Sequence, residues 1–219
     1  MYQYILFDLD GTLTDSKEGI LNCLRYAFEK MGKPVPEESV LIKFIGPPLQ
    51  DSYAEFCGFT PEEATEGILL FRERYAPIGK FENQAAPGMP ELCARLKQQG
   101  YVMALASSKP EEMCLPICEK FGYTPSLHAI VGSPPVGDWE KEDVIREALR
   151  RLDVPECDWK DKVLMVGDRK FDVLGAKNCG IDCVGVEFFG YAAPSELADA
   201  GAVAVVRTPE ELEQFLLKH

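Results

Sequence analysis

Two pairs of aspartates stand where short apolar segments of the chain end. Asp8 and Asp10 follow the first such segment, and Asp168 and Asp172 follow a later one. Carboxylates gathered this closely raise one another's pKa unless a cation is present. Hard divalent cations prefer oxygen ligands, and Mg²⁺ needs few of them from protein. If the two segments are neighbouring strands, the four aspartates predict a Mg²⁺ site; taken singly, each pair also fits an ordinary polar loop.

Three further polar residues occupy similar places between these pairs. Ser107 and Ser108 follow an apolar segment, and Ser108 with Glu111 fits a capping box. This would place Ser107 at a strand tip facing a helix N-terminus, where anions bind. Lys141 begins another helical pattern after the loop 133–140. On their own, these residues also fit a plain helix cap and a solvated surface charge.

Short apolar segments alternate with amphipathic helical patterns along most of the chain. Nearly all-apolar strands suit a parallel sheet covered on both faces, so the alternation favours a doubly wound α/β core. The predicted strands are Tyr4–Phe7, Tyr101–Ala106, His128–Val131, Val163–Val166, Cys183–Val186 and Ala202–Val205. The predicted helices between them include Met89–Gln99, Glu111–Lys120 and Lys141–Leu152.

Residues 16–85 interrupt this alternation with helical pattern only. Thr60–Glu63 combines an N-cap, a proline at the first helical position and a glutamate three residues on, which predicts a helix running to Tyr75. We therefore expect an α/β core of residues 1–15 and 86–219, with a small all-helical cap of residues 16–85 inserted after the first strand. Ligands of such sheets bind at the carboxyl ends of the strands, where a cap would cover them.

Composition restricts the classes of function. The 219 residues are 46% hydrophobic and 27% charged, as in globular proteins, and their formal charge is 23 − 36 = −13. So acidic a protein is not expected to bind nucleic acid or an anionic membrane through its overall field, and an anionic ligand would need a local positive group. With no apolar run of about 18 residues, no membrane span is expected.

The cysteines and histidines point away from metal-thiolate and histidine-based chemistry. Asp8 and Asp10 interrupt the first apolar stretch, so it is not a secretory signal, and we expect a cytoplasmic protein whose eight cysteines are reduced thiols. No cysteine pair has zinc-like spacing to a second pair or to a histidine. His128 and His219 are the two histidines, which disfavours a histidine-based triad.

The order of the polar groups is more specific than any one of them. Strand-DxD, strand-Ser, Lys and strand-GDxxxD resembles the haloacid dehalogenase superfamily of phosphatases, and the resemblance covers essentially the whole chain. The helical insert stands in the position of a C1-type cap. Asp8–Ser16 and Gly167–Asp172 are especially similar to the phosphoglycolate phosphatase-like branch. The resemblance implies a Rossmann-like core.

The resemblance also implies a role for each aspartate. Asp8 would attack phosphorus and form an aspartyl-phosphate, and Asp10 would serve as general acid and then general base. Mg²⁺ would be held by Asp8, the backbone carbonyl of Asp10 and Asp168, with Asp172 acting mainly through water. An acid two residues after the nucleophile favours phosphoryl transfer over dehalogenation.

Other residues would bind the substrate. The resemblance implies that Ser107 and Lys141 hold the transferring phosphoryl oxygens, and we add Ser108 and Gly11 to the phosphate-binding set. In the cap, Lys43 and Arg74 are candidates for contacting the leaving group, although arginines on an acidic helix are usually solvated with i, i+4 partners.

The sequence therefore predicts a Mg²⁺-dependent phosphatase of a small phosphorylated metabolite, with phosphoglycolate or a nucleoside monophosphate as candidates, acting as a monomer or homodimer. Two alternatives stay open. A sugar-phosphate mutase resembling β-phosphoglucomutase shares the motifs and the cap. A phospho-acceptor signalling module resembling a receiver domain shares the acidic pocket, but it is usually shorter and has no helical insert.

Overall fold

The core of the molecule is a parallel sheet of six strands. The computed structural model describes residues 1–134 and 139–219. Across the sheet the strands lie in the order β5-β4-β1-β6-β7-β8, and a separate pair is formed by β2 and β3. In chain order the strands are β1 Tyr4–Phe7, β2 Thr14–Asp15, β3 Gln84–Ala85, β4 Val102–Pro110, β5 Ala129–Ser133, β6 Val163–Gly167, β7 Asp182–Val186 and β8 Ala204–Val206.

Helices follow most of the strands, as expected for a doubly wound fold. In chain order they are α1 Lys17–Lys30, α2 Glu38–Leu41, α3 Leu49–Cys57, α4 Pro61–Tyr75, α5 Met89–Gln98, α6 Glu111–Lys120, α7 Lys141–Arg151, α8 Glu156–Lys162, α9 Lys170–Asn178, α10 Glu196–Ala200 and α11 Pro209–Lys218. Short 3₁₀ turns lie at Ile42–Phe44 and Gly79–Phe81. The predicted doubly wound α/β class is confirmed.

The central strand shows why this sequence forms a sheet covered on both faces. Successive side chains of a strand point to opposite faces. Ile5 and Phe7 of β1 pack with residues of α5, α6 and α11, whereas Leu6 packs with residues of α7, α9 and α10. All three side chains are completely buried. An apolar residue is therefore required at every position of β1, which is the pattern that the sequence displays.

The chain divides into two compact units. Unit 1, the core, comprises Met1–Thr14 and Ala85–His219, and unit 2, the cap, comprises Asp15–Gln84. Each boundary falls one residue before the boundary expected from the sequence. The chain leaves the core in β2 and returns to it in β3.

The cap unit is helical and has its own apolar centre. Its described elements are the helices α1 to α4 and the two 3₁₀ turns, and its buried aromatic residues include Phe28, Phe44 and Tyr53. At the start of α4 the predicted capping box is present: Thr60 accepts from the Glu63 backbone N–H, and Glu63 accepts from that of Thr60. The helix ends at Tyr75, as predicted.

One element differs from its prediction at a position that matters for the site. β4 does not end at Ala106 but continues to Pro110, with an irregular register after Ser107. Pro110 is the N-cap of α6 and makes no side-chain cap bond, so the predicted capping box of Ser108 and Glu111 is wrong. Pairing of β4 with β5 keeps the Ser108 region extended, and this non-local contact overrides the local capping pattern.

Two expectations from the sequence concern membrane-spanning helices and the state of the cysteines. None of the helices in the part of the chain that the structure describes is long and apolar enough to cross a membrane. The eight cysteines are free thiols, and most of them are buried.

Candidate active site

The sheet order places the ends of β1 and β6 side by side. β4 and β5 extend the sheet on one side of β1, and β6, β7 and β8 extend it on the other. The strand order therefore reverses between β1 and β6, and ligands of doubly wound sheets bind at such a point. The parallel register pairs Phe7 with Val166. The Asp8 N–H donates to the Val166 carbonyl over 2.9 Å, so Asp8 and Asp168 emerge next to each other.

A tight turn after β1 closes the space around Asp168. Gly11 adopts a φ of 86°, and its N–H donates to the Thr14 carbonyl over 2.7 Å. A Cβ on residue 11 would lie 2.1 Å from Oδ2 of Asp168. Only glycine fits here, because any side chain would displace the Asp168 carboxylate.

Three of the predicted aspartates form one buried cluster. One carboxylate oxygen from each of Asp8, Asp168 and Asp172 lies within 4.8 Å of the others. The three residues are 7%, 3% and 3% exposed. Asp172 accepts from the Arg169 N–H over 3.1 Å, and a Cβ on Gly167 would lie 2.2 Å from Cγ of Asp172. The absence of a side chain at Gly167, in the turn from β6 into α9, thus leaves room for the Asp172 carboxylate.

Lys141 supplies positive charge to this cluster. Its Nζ lies 2.6 Å from Oδ1 of Asp8 and 2.6 Å from Oδ1 of Asp172. Gly175 of α9 makes room for the stem of this lysine, since a Cβ there would lie 2.8 Å from Cγ of Lys141. Burial by itself would lower the pKa of Lys141, but the carboxylates of Asp172 and Asp8 outweigh burial and raise it. Lys141 is therefore a cation inside the site and not a solvated surface charge.

One lysine does not neutralise three buried carboxylates. Burial is the main cause that raises the pKa of Asp8 to about 6, against the opposing effect of Lys141. Burial and the neighbouring charges of Asp172 and Asp8 raise the pKa of Asp168 well above its ordinary value. The cluster therefore favours an additional cation.

The donor set fits a divalent cation bound by oxygen. Both carboxylate oxygens of Asp168 are buried and have no hydrogen-bond partner among the described residues. An ionised carboxylate without a partner is costly to bury, whereas a bound cation would satisfy it. Asp8 and Asp168 would hold such an ion directly and Asp172 through water, and Mg²⁺ suits one or two carboxylates completed by water.

Asp10 lies apart from the cluster and has a different partner. The carboxylates that cluster are those of the other three aspartates, so the expectation that all four converge is wrong for the Asp10 side chain. Instead, Oδ2 of Asp10 lies 2.6 Å from Nζ of Lys109. Sequence reasoning missed Lys109, although its place directly after Ser107 and Ser108 at a strand end was a usable signal.

The comparison with known families agrees with this geometry. The sequence profile of the haloacid dehalogenase-like hydrolases matches residues 5–186 of the chain. The chain belongs to this family. The match spans β1, the whole cap and β4 to β7, so it includes every element that positions the cluster.

Individual relatives of this hydrolase match most of its length. A 5′-nucleotidase of Pseudomonas aeruginosa is 38% identical over 199 residues, which are 90% of this chain and 87% of that protein. The tyrosine-protein kinase PtkA of Mycobacterium tuberculosis is 35% identical over 98% of this chain and 72% of its own. A phosphoglycolate phosphatase of Cupriavidus necator is 29% identical over 97% and 92%.

A solved structure supports the fold of the hydrolase over the whole chain. The crystal structure of a predicted phosphatase from Clostridium acetobutylicum superposes with a TM-score of 0.92 at 39% sequence identity, covering 100% of both chains.

The serines of this hydrolase lie along β4 and not at its tip. Ser107 is almost completely buried, and its Oγ accepts from the Lys109 N–H over 3.4 Å. The Ser108 carbonyl accepts from Oγ of Ser133 over 2.8 Å. The phosphate-binding roles of Ser107, Ser108 and Gly11 remain predictions.

The loop 133–140 precedes Lys141. Residues 135–138 of this loop lie outside the described residues. Where the description resumes, Glu140 and Asp143 form a reciprocal capping box at the start of α7. The box fixes the first turn of the helix, and with it the position from which Lys141 reaches the cluster.

Both candidate substrate residues of the cap have partners inside the cap. Nζ of Lys43 lies 5.7 Å from the centre of the Phe56 ring. Nη1 and Nη2 of Arg74 donate to the two carboxylate oxygens of Glu82 over 2.6 and 2.9 Å, and Nη1 also donates to Sγ of Cys23 over 3.3 Å. Substrate contact by Lys43 and Arg74 stays a prediction; Arg74 would have to exchange Glu82 for the substrate.

Proposed function

We propose that the protein is a Mg²⁺-dependent phosphatase that hydrolyses a small phosphomonoester through an aspartyl-phosphate on Asp8. The observation that carries the proposal is the buried cluster of Asp8, Asp168 and Asp172, in which neither oxygen of Asp168 has a donor among the described residues. A cation bound there would lie beside the nucleophile. The names of the relatives, 5′-nucleotidase and phosphoglycolate phosphatase, agree with this chemistry.

In the first half-reaction, a carboxylate oxygen of Asp8 attacks phosphorus. The bond between phosphorus and the leaving oxygen breaks, and its electron pair stays on that oxygen. Asp10 donates a proton to it, so the free alcohol departs. Bound Mg²⁺ supplies positive charge that lets the anionic carboxylate approach the anionic phosphate.

In the second half-reaction, water attacks phosphorus of the aspartyl-phosphate. Asp10 now accepts a proton from that water, the acyl-phosphate bond breaks, and orthophosphate leaves with Asp8 regenerated as a carboxylate. Asp10 thereby recovers the proton that it gave to the leaving oxygen. One side chain therefore serves both halves of the reaction as acid and as base.

In this reaction Lys141 binds the phosphoryl oxygens of the substrate. Its ammonium touches the carboxylate of Asp8, the group that attacks, and so lies within reach of the phosphoryl oxygens of a substrate that approaches this carboxylate. It provides the local positive charge that an anionic substrate needs in a chain of net charge −13. Ser107 and the Gly11 turn would contribute further hydrogen bonds to the phosphoryl group.

The substrate class follows from the chemistry and from the relatives. Attack on phosphorus with protonation of the leaving oxygen suits a phosphomonoester, and the relatives' names point to phosphoglycolate and to nucleoside monophosphates. We propose a small phosphorylated metabolite of one of these two kinds.

A phosphate-release screen tests the proposal. The purified protein is assayed with phosphoglycolate, nucleoside monophosphates and several dozen other phosphomonoesters in Mg²⁺, with Asp8→Asn as the blank. We expect turnover of at least one substrate, its loss by about 1,000-fold or more in Asp8→Asn, and its loss in EDTA with recovery in Mg²⁺. An Asp8→Asn variant that keeps a tenth of the activity would contradict the assignment of the nucleophile.

Additional arms of the same assay separate other activities. A hexose 1-phosphate that is isomerised without release of phosphate would indicate a mutase. Incubation with ATP and detection of phosphotyrosine would test the activity named for the PtkA relative. A phosphoprotein that lasts for minutes without turnover would indicate a signalling module.

A further inference from the structure

Lys109 and Asp10 form an ion pair in the interior of the site. Nζ of Lys109 lies 2.6 Å from Oδ2 of Asp10, and the two side chains are 9% and 12% exposed. Removing two charges from water costs free energy that only a well-formed contact offsets. A long, flexible lysine held this way fixes the orientation of the group that it binds.

A β-bulge directs Lys109 toward Asp10. Ser107 of β4 pairs with Gly132 of β5, but the next residue of β5, Ser133, pairs with Pro110. Ser108 and Lys109 are therefore extra residues in β4. Bulges next to active sites re-aim side chains that a regular strand would direct elsewhere.

The neighbouring strand is shaped to accept this bulge. A Cβ on Gly132 would lie 2.4 Å from the Lys109 carbonyl oxygen and 2.5 Å from the Glu111 nitrogen, both of them backbone atoms. Oγ of Ser133 donates to the Ser108 carbonyl over 2.8 Å. Gly132 thus provides the space for the bulge, and Ser133 provides a hydrogen bond that holds it.

The pair leaves one oxygen of Asp10 for chemistry. Oδ2 is bound by Lys109, whereas Oδ1 is buried and has no hydrogen-bond partner among the described residues. A buried carboxylate oxygen without a donor is uncommon, and a catalytic role is one of the reasons for which such an atom is kept. The two oxygens of Asp10 therefore differ: one is anchored and the other is open.

We propose that Lys109 is a positioning residue that anchors Oδ2 of Asp10 and so makes Oδ1 the oxygen that exchanges protons with the leaving group and with water. The proposal rests on the proposed function, since it assigns Asp10 the proton transfers described above. Lys109 does not itself touch the reacting atoms. Its contribution is to hold Asp10 in the orientation from which Oδ1 can reach them.

This role makes a specific prediction about leaving groups. A poor leaving group needs the proton of a correctly placed Asp10, whereas an acidic one departs with little help. p-Nitrophenyl phosphate and phenyl phosphate have similar shapes, but nitrophenolate is much the better leaving group. Loss of Lys109 should therefore affect kcat/KM for phenyl phosphate far more than for p-nitrophenyl phosphate.

The experiment compares three lysine variants with the wild type on these two substrates. We expect Lys109→Met to lower kcat/KM for phenyl phosphate by roughly 10- to 100-fold and that for p-nitrophenyl phosphate by less than about threefold. Lys109→Arg should recover most of the loss. Lys160→Met, which removes an exposed lysine of α8, controls for the change in net charge. Equal losses on both substrates would overturn the proposal.

A double-mutant cycle tests whether Lys109 acts through Asp10. In the Asp10→Asn background, Lys109→Met should change kcat/KM for phenyl phosphate by less than about twofold, because no acid remains to be positioned. A further loss of tenfold would assign Lys109 an independent role and overturn the proposal. Asp8→Asn is assayed separately, so an unaffected Asp8→Asn enzyme would refute the proposed function and not this role.

A structural measurement gives a second readout that needs no activity. In a crystal structure of Lys109→Met, the Asp10 carboxylate should leave the orientation that it has in the wild type. An unchanged Asp10 side chain in that variant would overturn the anchoring role, whatever the kinetics show. Thermal unfolding of each variant confirms that the comparison is made between folded proteins.

Discussion

The charged groups of the core site and those of the cap are assembled on different principles. In the core, four carboxylates, those of Asp8, Asp10, Asp168 and Asp172, are buried with two lysines as partners, so negative charge is in excess. In the cap, Arg74 donates two parallel hydrogen bonds to Glu82, and the two charges of this pair balance.

The difference teaches which ionic groups to regard as functional. A balanced, half-buried pair satisfies itself and adds a modest amount to stability. An excess of buried carboxylates destabilises the metal-free fold, and such an arrangement is retained where a ligand or a reaction needs it. Excess charge and unpartnered oxygens mark the core site, although the cap contains equally well-formed ionic contacts.

The largest effect should come from removing the carboxylate of Asp168, which has no hydrogen-bond donor within residues 1–134 and 139–219. Asp168→Asn should weaken Mg²⁺ binding by at least about 100-fold, because the amide removes a negative charge that would hold the ion. Isothermal titration of the protein with Mg²⁺ measures the affinity without reference to activity. The control is Asp161→Asn, an exposed aspartate of α8. Unchanged affinity in Asp168→Asn would place the ion elsewhere.

The excess charge also predicts how pH affects the metal-free protein. Burial raises the pKa of Asp8 from 3.8 to about 6. Between pH 3.8 and pH 6, Asp8 is therefore protonated in the folded state and ionised in the unfolded state. The stabilising contribution of Asp8 is present below about pH 4 and is lost as the pH rises through 6. Asp8→Asn lacks this contribution, whereas Asp168 is present in both proteins.

The expected size of this effect is about 2 kcal/mol. Between pH 4.5 and pH 7, the free energy of unfolding of Asp8→Asn in EDTA should rise by that amount relative to wild type. Urea denaturation at several pH values, with EDTA present, measures the difference. If the difference in the free energy of unfolding between Asp8→Asn and wild type does not vary with pH, burial does not raise the pKa of Asp8.

The bulge of β4 that directs Lys109 toward Asp10 should be sensitive to one methyl group. Gly132→Ala would put a Cβ against the backbone of Lys109 and Glu111, and overpacking of this kind costs about 1–3 kcal/mol. The same variant should reproduce the leaving-group dependence of Lys109→Met, because the bulge aims that lysine. Gly122→Ala, at an open turn with positive φ, is a control for backbone strain alone. If Gly132→Ala lowers stability but does not change the leaving-group dependence of kcat/KM, Gly132 contributes to packing only.

The smallest effect is expected for the balanced pair of the cap. Arg74→Met and Glu82→Gln should each lower the free energy of unfolding by about 1 kcal/mol or less, and Glu82→Gln should leave KM within about twofold. The comparison of the two variants decides the role of Arg74. A rise in KM for Arg74→Met that Glu82→Gln does not share would identify Arg74 as a substrate ligand.

The fold was largely predictable because its signals are local. The apolar residues of β1 and β6 repeat without interruption, as a strand covered on both faces requires, and Thr60–Glu63 carries a complete helix start. The elements expected from such patterns are present, with boundaries displaced by a few residues. Boundaries depend on contacts between elements, which is why β4 runs on to Pro110 against β5.

The site was predictable at the level of residue types and only partly at the level of partners. Asp8, Asp168 and Asp172 were expected together and lie together, since the carboxyl ends of parallel neighbours share one edge. The expected capping role of Ser108 was wrong, and Lys109 went unnoticed, because both depend on a bulge that only the pairing of β4 with β5 creates.

The sequence by itself determined which residue types stand at the ends of the strands, and it determined the family through their order. Tertiary structure alone decided which oxygen faces which lysine: Lys141 with Asp8 and Asp172, Lys109 with one oxygen of Asp10, and no donor for Asp168 among the residues that the structure describes. The physical reason is that the two kinds of property depend on residues at different separations along the chain. A residue's tendency to form a strand or a helix depends on its close neighbours in the chain. A hydrogen-bond partner within about 3 Å depends instead on strand order and register, which residues far apart in the chain settle together.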